Sequence, residues 1–113
     1  MYEREILTEL ERLYPDARPA LYYKSPYELL VAVILSAQCT DERVNKVTAE
    51  LFKEHNTPAT MLELTQGELE RYIYSCGFYH NKAAHILSAS RDIVEKFNGE
   101  VPGDHAALKS LAG

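Results

Sequence analysis

Ser25-Pro26-Tyr27-Glu28-Leu29-Leu30-Val31-Ala32-Val33-Ile34-Leu35-Ser36-Ala37-Gln38-Cys39-Thr40-Asp41 decides the fold. Ser25 can cap a helix, Pro26 suits the first helical position, and Glu28 can reach back to close a capping box. The helix that follows, over about 26–38, is apolar nearly all round, which places it in the centre of a domain. Its apolar run is far short of the ~20 residues that cross a bilayer. Cys39-Thr40-Asp41 breaks the run. Thr40 or Asp41 can cap a further helix over about 42–54, with Val44, Val47, Leu51 and Phe52 as its apolar stripe.

Working outward, helical spacing continues on both sides. Towards the N-terminus, Ile6, Leu7, Leu10 and Leu13 share one face of a helix over about 2–14, and 15–24 reads as a connector with Pro15 and Pro19. Towards the C-terminus, Asn56-Thr57-Pro58 opens a short helix through Met61 and Leu62. Thr65-Gln66-Gly67-Glu68 is a second capping box, opening a helix to about Ser75. Cys76-Gly77 stops it. Asn81 caps a long helix to about Phe97, with Ala84, Ile86, Leu87, Ile93 and Val94 available for packing, and Asn98-Gly99 ends it. Asp104 opens a last short helix through Leu108. No alternating strand pair with a hairpin turn is present. The expectation is an all-α chain, one domain of six or seven helices over residues 1–113.

Composition narrows the function classes. The 46% hydrophobic and 26% charged fractions are those of a globular domain, not a disordered chain. The charged start Met1-Tyr2-Glu3-Arg4-Glu5 leads to the expectation of no signal peptide, and Cys39 and Cys76 stand in no C-x-x-C pair, so a reducing, cytoplasmic setting is expected. A net charge of −5 disfavours a surface that grips nucleic acid everywhere. One stretch differs. From Arg71 to Arg91 there is no Asp or Glu, while Arg71, Lys82, Arg91, His80 and His85 are interleaved with Tyr72, Tyr74, Phe78 and Tyr79. There is no nucleophile elbow, P-loop or H-E-x-x-H string, and no metal-ligand spacing. His80 and His85 do not share a helix face and read as structural or surface groups.

Specific strings go further. The 25–41 stretch, Asn56-Thr57-Pro58 with Met61-Leu62, Gly77-Phe78-Tyr79-His80-Asn81-Lys82-Ala83, and Asn98-Gly99-Glu100-Val101-Pro102 resemble, in order and spacing, the endonuclease III family of DNA glycosylases. Leu108 to Gly113 resembles the lead-in to that family's helix-hairpin-helix. The resemblance implies a bilobal enzyme with a six-helix barrel domain and a [4Fe-4S] domain, and double-stranded DNA carrying a damaged base or abasic site as partner. An oxidised pyrimidine is flipped from the duplex, a lysine amine attacks C1′ with an aspartate assisting, and β-elimination cuts the strand. It further implies that this chain corresponds to the N-terminal half. The catalytic lysine, the aspartate and the four cluster cysteines would follow Gly113, so no catalytic or metal-binding residue and no cofactor is expected within it. Residues 25–113 would be a partial barrel. Residues 1–24 would pack on the cluster domain, and without that cover the N-terminal helix is expected to be displaced, frayed or self-associated.

The same resemblance assigns roles by position. Gln38 matches the glutamine that fills the hole left by the flipped base; otherwise it is a helix-end amide bonding free carbonyls. Phe78 stands where the family has an apolar wedge, often leucine, between base pairs, with core packing as the alternative. Tyr79 is read likewise. Lys82, in the first turn of its helix, would meet a phosphate or be solvated. Ser36, Thr40 and Asp41 would lie near the lesion pocket, with Asp41 also able to cap. Lys109 precedes the hairpin glycine and is not the catalytic lysine. The related adenine glycosylases carry a glutamate five residues before the glutamine; here that position is Val33. A different class of reading is a stand-alone helical module that binds DNA weakly or mediates protein contacts.

Overall fold

The structure is a computed structural model that describes residues 21–102. The expected helices over 2–14 and from Asp104, with Ile6, Leu7, Leu10, Leu13 and Lys109, lie outside those residues. Among the described residues the chain is all-helical, with five α-helices: α1 (Pro26–Ser36), α2 (Asp41–Leu51), α3 (Pro58–Met61), α4 (Gln66–Ile73) and α5 (Tyr79–Lys96). A 3-10 turn, Tyr74–Cys76, joins α4 to α5. The long helix α5 is the hub against which α1, α3 and α4 pack. None of the described helices is long and apolar enough to cross a membrane.

Helix α1 is the central element. Ser25 Oγ accepts from the Glu28 amide at 3.1 Å, and Pro26 occupies the first turn, where its missing N–H costs nothing. Every residue from Tyr27 to Leu35 is buried. Each large aliphatic side chain so buried contributes about 1.5–3 kcal/mol. The expected capping box closes one residue earlier than the sequence suggests. Glu28 accepts from the Lys24 amide at 2.9 Å, and its other oxygen takes the Asn56 side-chain amide at 3.4 Å. Those partners let a carboxylate sit 4% exposed beside the core.

The other helices begin where side-chain acceptors are available. Thr40, not Asp41, caps α2, its Oγ1 accepting from the Arg43 amide at 3.2 Å. Asp41 and Glu42 then place negative charge at the positive end of that helix. Thr57 and Thr60 form a reciprocal box on α3, and Thr65 and Glu68 form the expected one on α4. Helix α5 starts at Tyr79, two residues before the expected Asn81 cap, because Phe78 turns left-handed (φ 46) and launches it directly.

The packing face of α5 also differs from expectation. Ala84 and Val94 are exposed, and Lys82, Ala83, Ile86, Ala89, Ser90 and Ile93 face inward. Tyr27 of α1 donates its phenol to Ser90 Oγ at 2.6 Å, since that hydroxyl itself donates to the Ile86 carbonyl at 2.7 Å. At its far end α5 stops as Asn98-Gly99 predicts. Both take positive φ (58 and 82), and the Gly99 amide reaches back to the Ile93 carbonyl at 2.9 Å. Val101 then folds back into the core.

Candidate functional site

Besides Asn98 at the end of α5, two non-glycine residues adopt left-handed backbone: Gln38 (φ 55), just after α1, and Phe78 (φ 46), at the start of α5. Such conformations cost a non-glycine residue about 1–2 kcal/mol, so surrounding structure must enforce them. Both side chains are exposed, Phe78 at 63%, large for an apolar ring. Gly77 before it sits at φ 74, with open space where a side chain would be.

Lys82 links the two loops. Its Nζ donates to the carbonyls of Leu35 at 2.9 Å, Ala37 at 2.6 Å and Cys76 at 3.1 Å. An ammonium has three N–H groups, and three carbonyls use all of them. Two of these carbonyls lie at the C-terminal end of α1, where helix carbonyls lack intrahelical partners. The third precedes Gly77-Phe78. The expectation for Lys82, an ammonium in solvent or on a phosphate, is therefore corrected: the residue is 6% exposed and turned inward. A lysine bearing three satisfied N–H bonds can be buried at a position where an unpartnered one could not. The sequence carried a signal. Lys82, Ile86, Ala89 and Ile93 fall on one helical stripe, so the lysine belongs to the buried face.

The remaining candidates divide. Ser36 is half-buried and donates its hydroxyl to the Val33 carbonyl at 2.8 Å, and the Thr40 hydroxyl is engaged in the α2 cap. Asp41 is half-buried at the start of α2. All three sit in the chain segment that carries Gln38. Tyr79 is half-buried against the core and tilts against Tyr74, with ring centroids 4.8 Å apart. Glu70, just outside the acid-free stretch, accepts from Gln66 at 3.0 Å and pairs with His80 Nδ1 at 2.8 Å. His80 is thereby tied to the surface of α4.

Cys39 and Cys76, unremarkable in the sequence, meet between the same loops. Burial pushes the Cys76 thiol up to about 12, and its interaction with the Cys39 side chain adds to the rise. These residues do not fit a [4Fe-4S] cluster. Such a cluster takes four ligands, ordinarily cysteine thiolates, the chain has two cysteines, and no group of three or more His, Cys, Asp or Glu among the described residues could hold a metal ion.

Comparison with known proteins gives the family and the fold. The model of the HhH-GPD superfamily of base excision DNA repair proteins matches residues 31–112. Endonuclease III of Haemophilus influenzae is 50% identical over 109 residues, covering 96% of this chain and 52% of that protein. The structure of a trapped endonuclease III–DNA covalent intermediate superposes with a TM-score of 0.80 at 45% identity, over 96% of this chain and 51% of that one. A non-covalent endonuclease III–DNA complex gives 0.73 at 39% identity, over 96% of this chain and 56% of that one. The chain thus spans about half the length of the curated relatives it matches. The family model covers most of the chain, and the helical frame around Gln38 and Phe78 is shared with these enzymes, so the chain belongs to the HhH-GPD superfamily of base excision DNA repair proteins.

Proposed function

We propose that this chain supplies the duplex-opening and lesion-pocket residues of a DNA glycosylase with abasic-site lyase activity on oxidised pyrimidines. Gln38 fills the space left by the flipped base, Phe78 wedges between base pairs with Tyr79 beside it, and Ser36, Thr40 and Asp41 border the pocket. The observation that supports this reading is the pairing of two exposed, left-handed residues on loops joined through one buried ammonium. Strain of that kind on a surface is retained where a site needs it. Unstacking a base step costs a few kcal/mol, and an inserted apolar ring recovers part of it.

The test is binding of the 113-residue chain to a duplex with an abasic-site analogue, measured by fluorescence anisotropy at low salt. Phe78→Ala is expected to weaken binding by about 1–3 kcal/mol, the range for loss of one stacking contact, and Gln38→Ala is expected to weaken it through loss of the amide that fills the vacated space. Unchanged binding by both variants would sink the wedge reading and leave the helical-module alternative. The reading also holds that the lysine nucleophile, the assisting aspartate and the [4Fe-4S] cluster belong to sequence other than these 113 residues. The chain by itself is then expected to give no borohydride-trapped adduct with abasic DNA; formation of that adduct would refute it. Two further parts of the proposal are a cytoplasmic setting and self-association through Ile6, Leu7, Leu10 and Leu13. A concentration-independent monomer in sedimentation would remove the second.

A further inference from the structure

We infer that Cys39 and Cys76 are a modification site, closing to an intramolecular disulfide on exposure to peroxide and so bridging the loops that carry Gln38 and Phe78. Cys39 immediately precedes the α2 cap, and Cys76 ends the 3-10 turn that packs against α2. Lys82 Nζ holds the backbone on both sides, bonding the Cys76 carbonyl and the carbonyl of Ala37, two residues before Cys39. The Cys76 side chain lies in the core, Cys39 packs against that core from its edge, and the two side chains interact. Both cysteines are free.

Exposure sets the order of events. Cys39 is half-buried and Cys76 is 2% exposed, so peroxide meets Cys39 first. Its sulfur takes one peroxide oxygen, giving a sulfenic acid and one water. The Cys76 sulfur then attacks the Cys39 sulfur. The sulfur–sulfur bond forms, the sulfur–oxygen bond breaks, and a second water leaves with the proton from Cys76. The two thiols lose two electrons and peroxide gains them. The attacking species is the Cys76 thiolate, which burial and Cys39 disfavour while Lys82 and Arg43 favour it, so closure is slow near neutrality and quickens as pH rises. This site stands on the packing of the two loops and not on the DNA-binding proposal.

The experiment treats the reduced 113-residue chain, dilute, with hydrogen peroxide, then denatures it in N-ethylmaleimide. The expected product is lighter by about 2 Da, takes up no maleimide, yields a peptide joining Cys39 to Cys76, and regains both thiols with dithiothreitol. Oxidised chain is expected to unfold at a higher temperature than reduced chain. Cys39→Ser is expected to leave Cys76 free and unoxidised under the same treatment. Two maleimides per chain, accumulation of over-oxidised Cys39, or Cys39 pairing between two chains would each overturn the inference. If Cys39→Ser fails to fold, the peptide map of the parent chain decides alone.

Discussion

Lys82 shows how one residue can serve a site that it does not touch. Its three hydrogen bonds satisfy carbonyls at the end of α1 and in the turn before Phe78. Lys82→Met keeps most of the stem and orphans the carbonyls, so it is expected to lower the unfolding free energy by roughly 2–4 kcal/mol in denaturant titration. Lys82→Arg is not expected to restore it, because a planar guanidinium cannot reproduce three bonds radiating from one nitrogen. A loss below about 0.5 kcal/mol, the ordinary surface value, would show that the bonds contribute little. Phe78 behaves in the opposite sense. Its ring is largely exposed and its backbone strained, so Phe78→Gly relieves about 1–2 kcal/mol of left-handed strain while adding unfolded-state entropy of similar size. Stability is expected to change little while duplex affinity falls. A large destabilisation would mean that the ring is a packing residue.

At the scale of elements, helix starts and stops were legible and helix faces were less so. Ser25-Pro26 with an apolar run, Thr65 with Glu68, and Asn98-Gly99 are local signals read by neighbouring amides, and each holds in the structure. The start of α5 was not legible, because the left-handed turn at Phe78 depends on the loop beside it and Asn81 offered a false cap. The inward lysine was not legible because lysine is ordinarily exposed, and two of its three partners lie 47 and 45 positions earlier in sequence. Cys39 and Cys76 gave no sequence sign of meeting for the same reason. The α4 box makes a local prediction of its own. The Thr65 backbone hydrogen bond, followed by its hydroxyl, holds the exposed Glu68 carboxyl below the ordinary carboxylate range. Its contribution is therefore present above the unfolded pKa of about 4.3 and lost as pH falls through the lower folded value. Parent and Glu68→Gln stabilities are expected to converge as pH falls below that window. A constant gap down to pH ~2 would contradict the linkage. Between elements, Ser90→Ala strands the Tyr27 phenol in the core and is expected to cost about 1–3 kcal/mol.

Across the whole molecule, the proposed function asks a chain of net charge −5 to meet a polyanion, which requires a limited cationic surface. Arg71 to Arg91 is the stretch of the sequence that the proposal would use, free of acids and rich in aromatic rings. The structure reduces its strength. Lys82 is withdrawn into the interior, and His80 is held by Glu70, leaving Arg71 and Arg91 as exposed basic side chains at its two ends. Each phosphate neutralised contributes about −0.9 to the slope of log affinity against log salt for duplex DNA. Two arginines therefore set an expected slope near −2, shallow for a DNA-binding protein, and in the proposed reading the remaining affinity comes from stacking of the Phe78 ring and hydrogen bonding by the Gln38 amide. Anisotropy titrations from low to moderate salt measure that slope directly. Arg91→Gln is expected to flatten it by about one unit. Lys82→Met, assayed at a temperature where it stays folded, is expected to leave the slope unchanged while weakening binding through loosened loops. A slope of −5 or steeper would place the footprint on cations elsewhere in the chain. A slope change in Lys82→Met equal to that of Arg91→Gln would return the lysine to the phosphate surface.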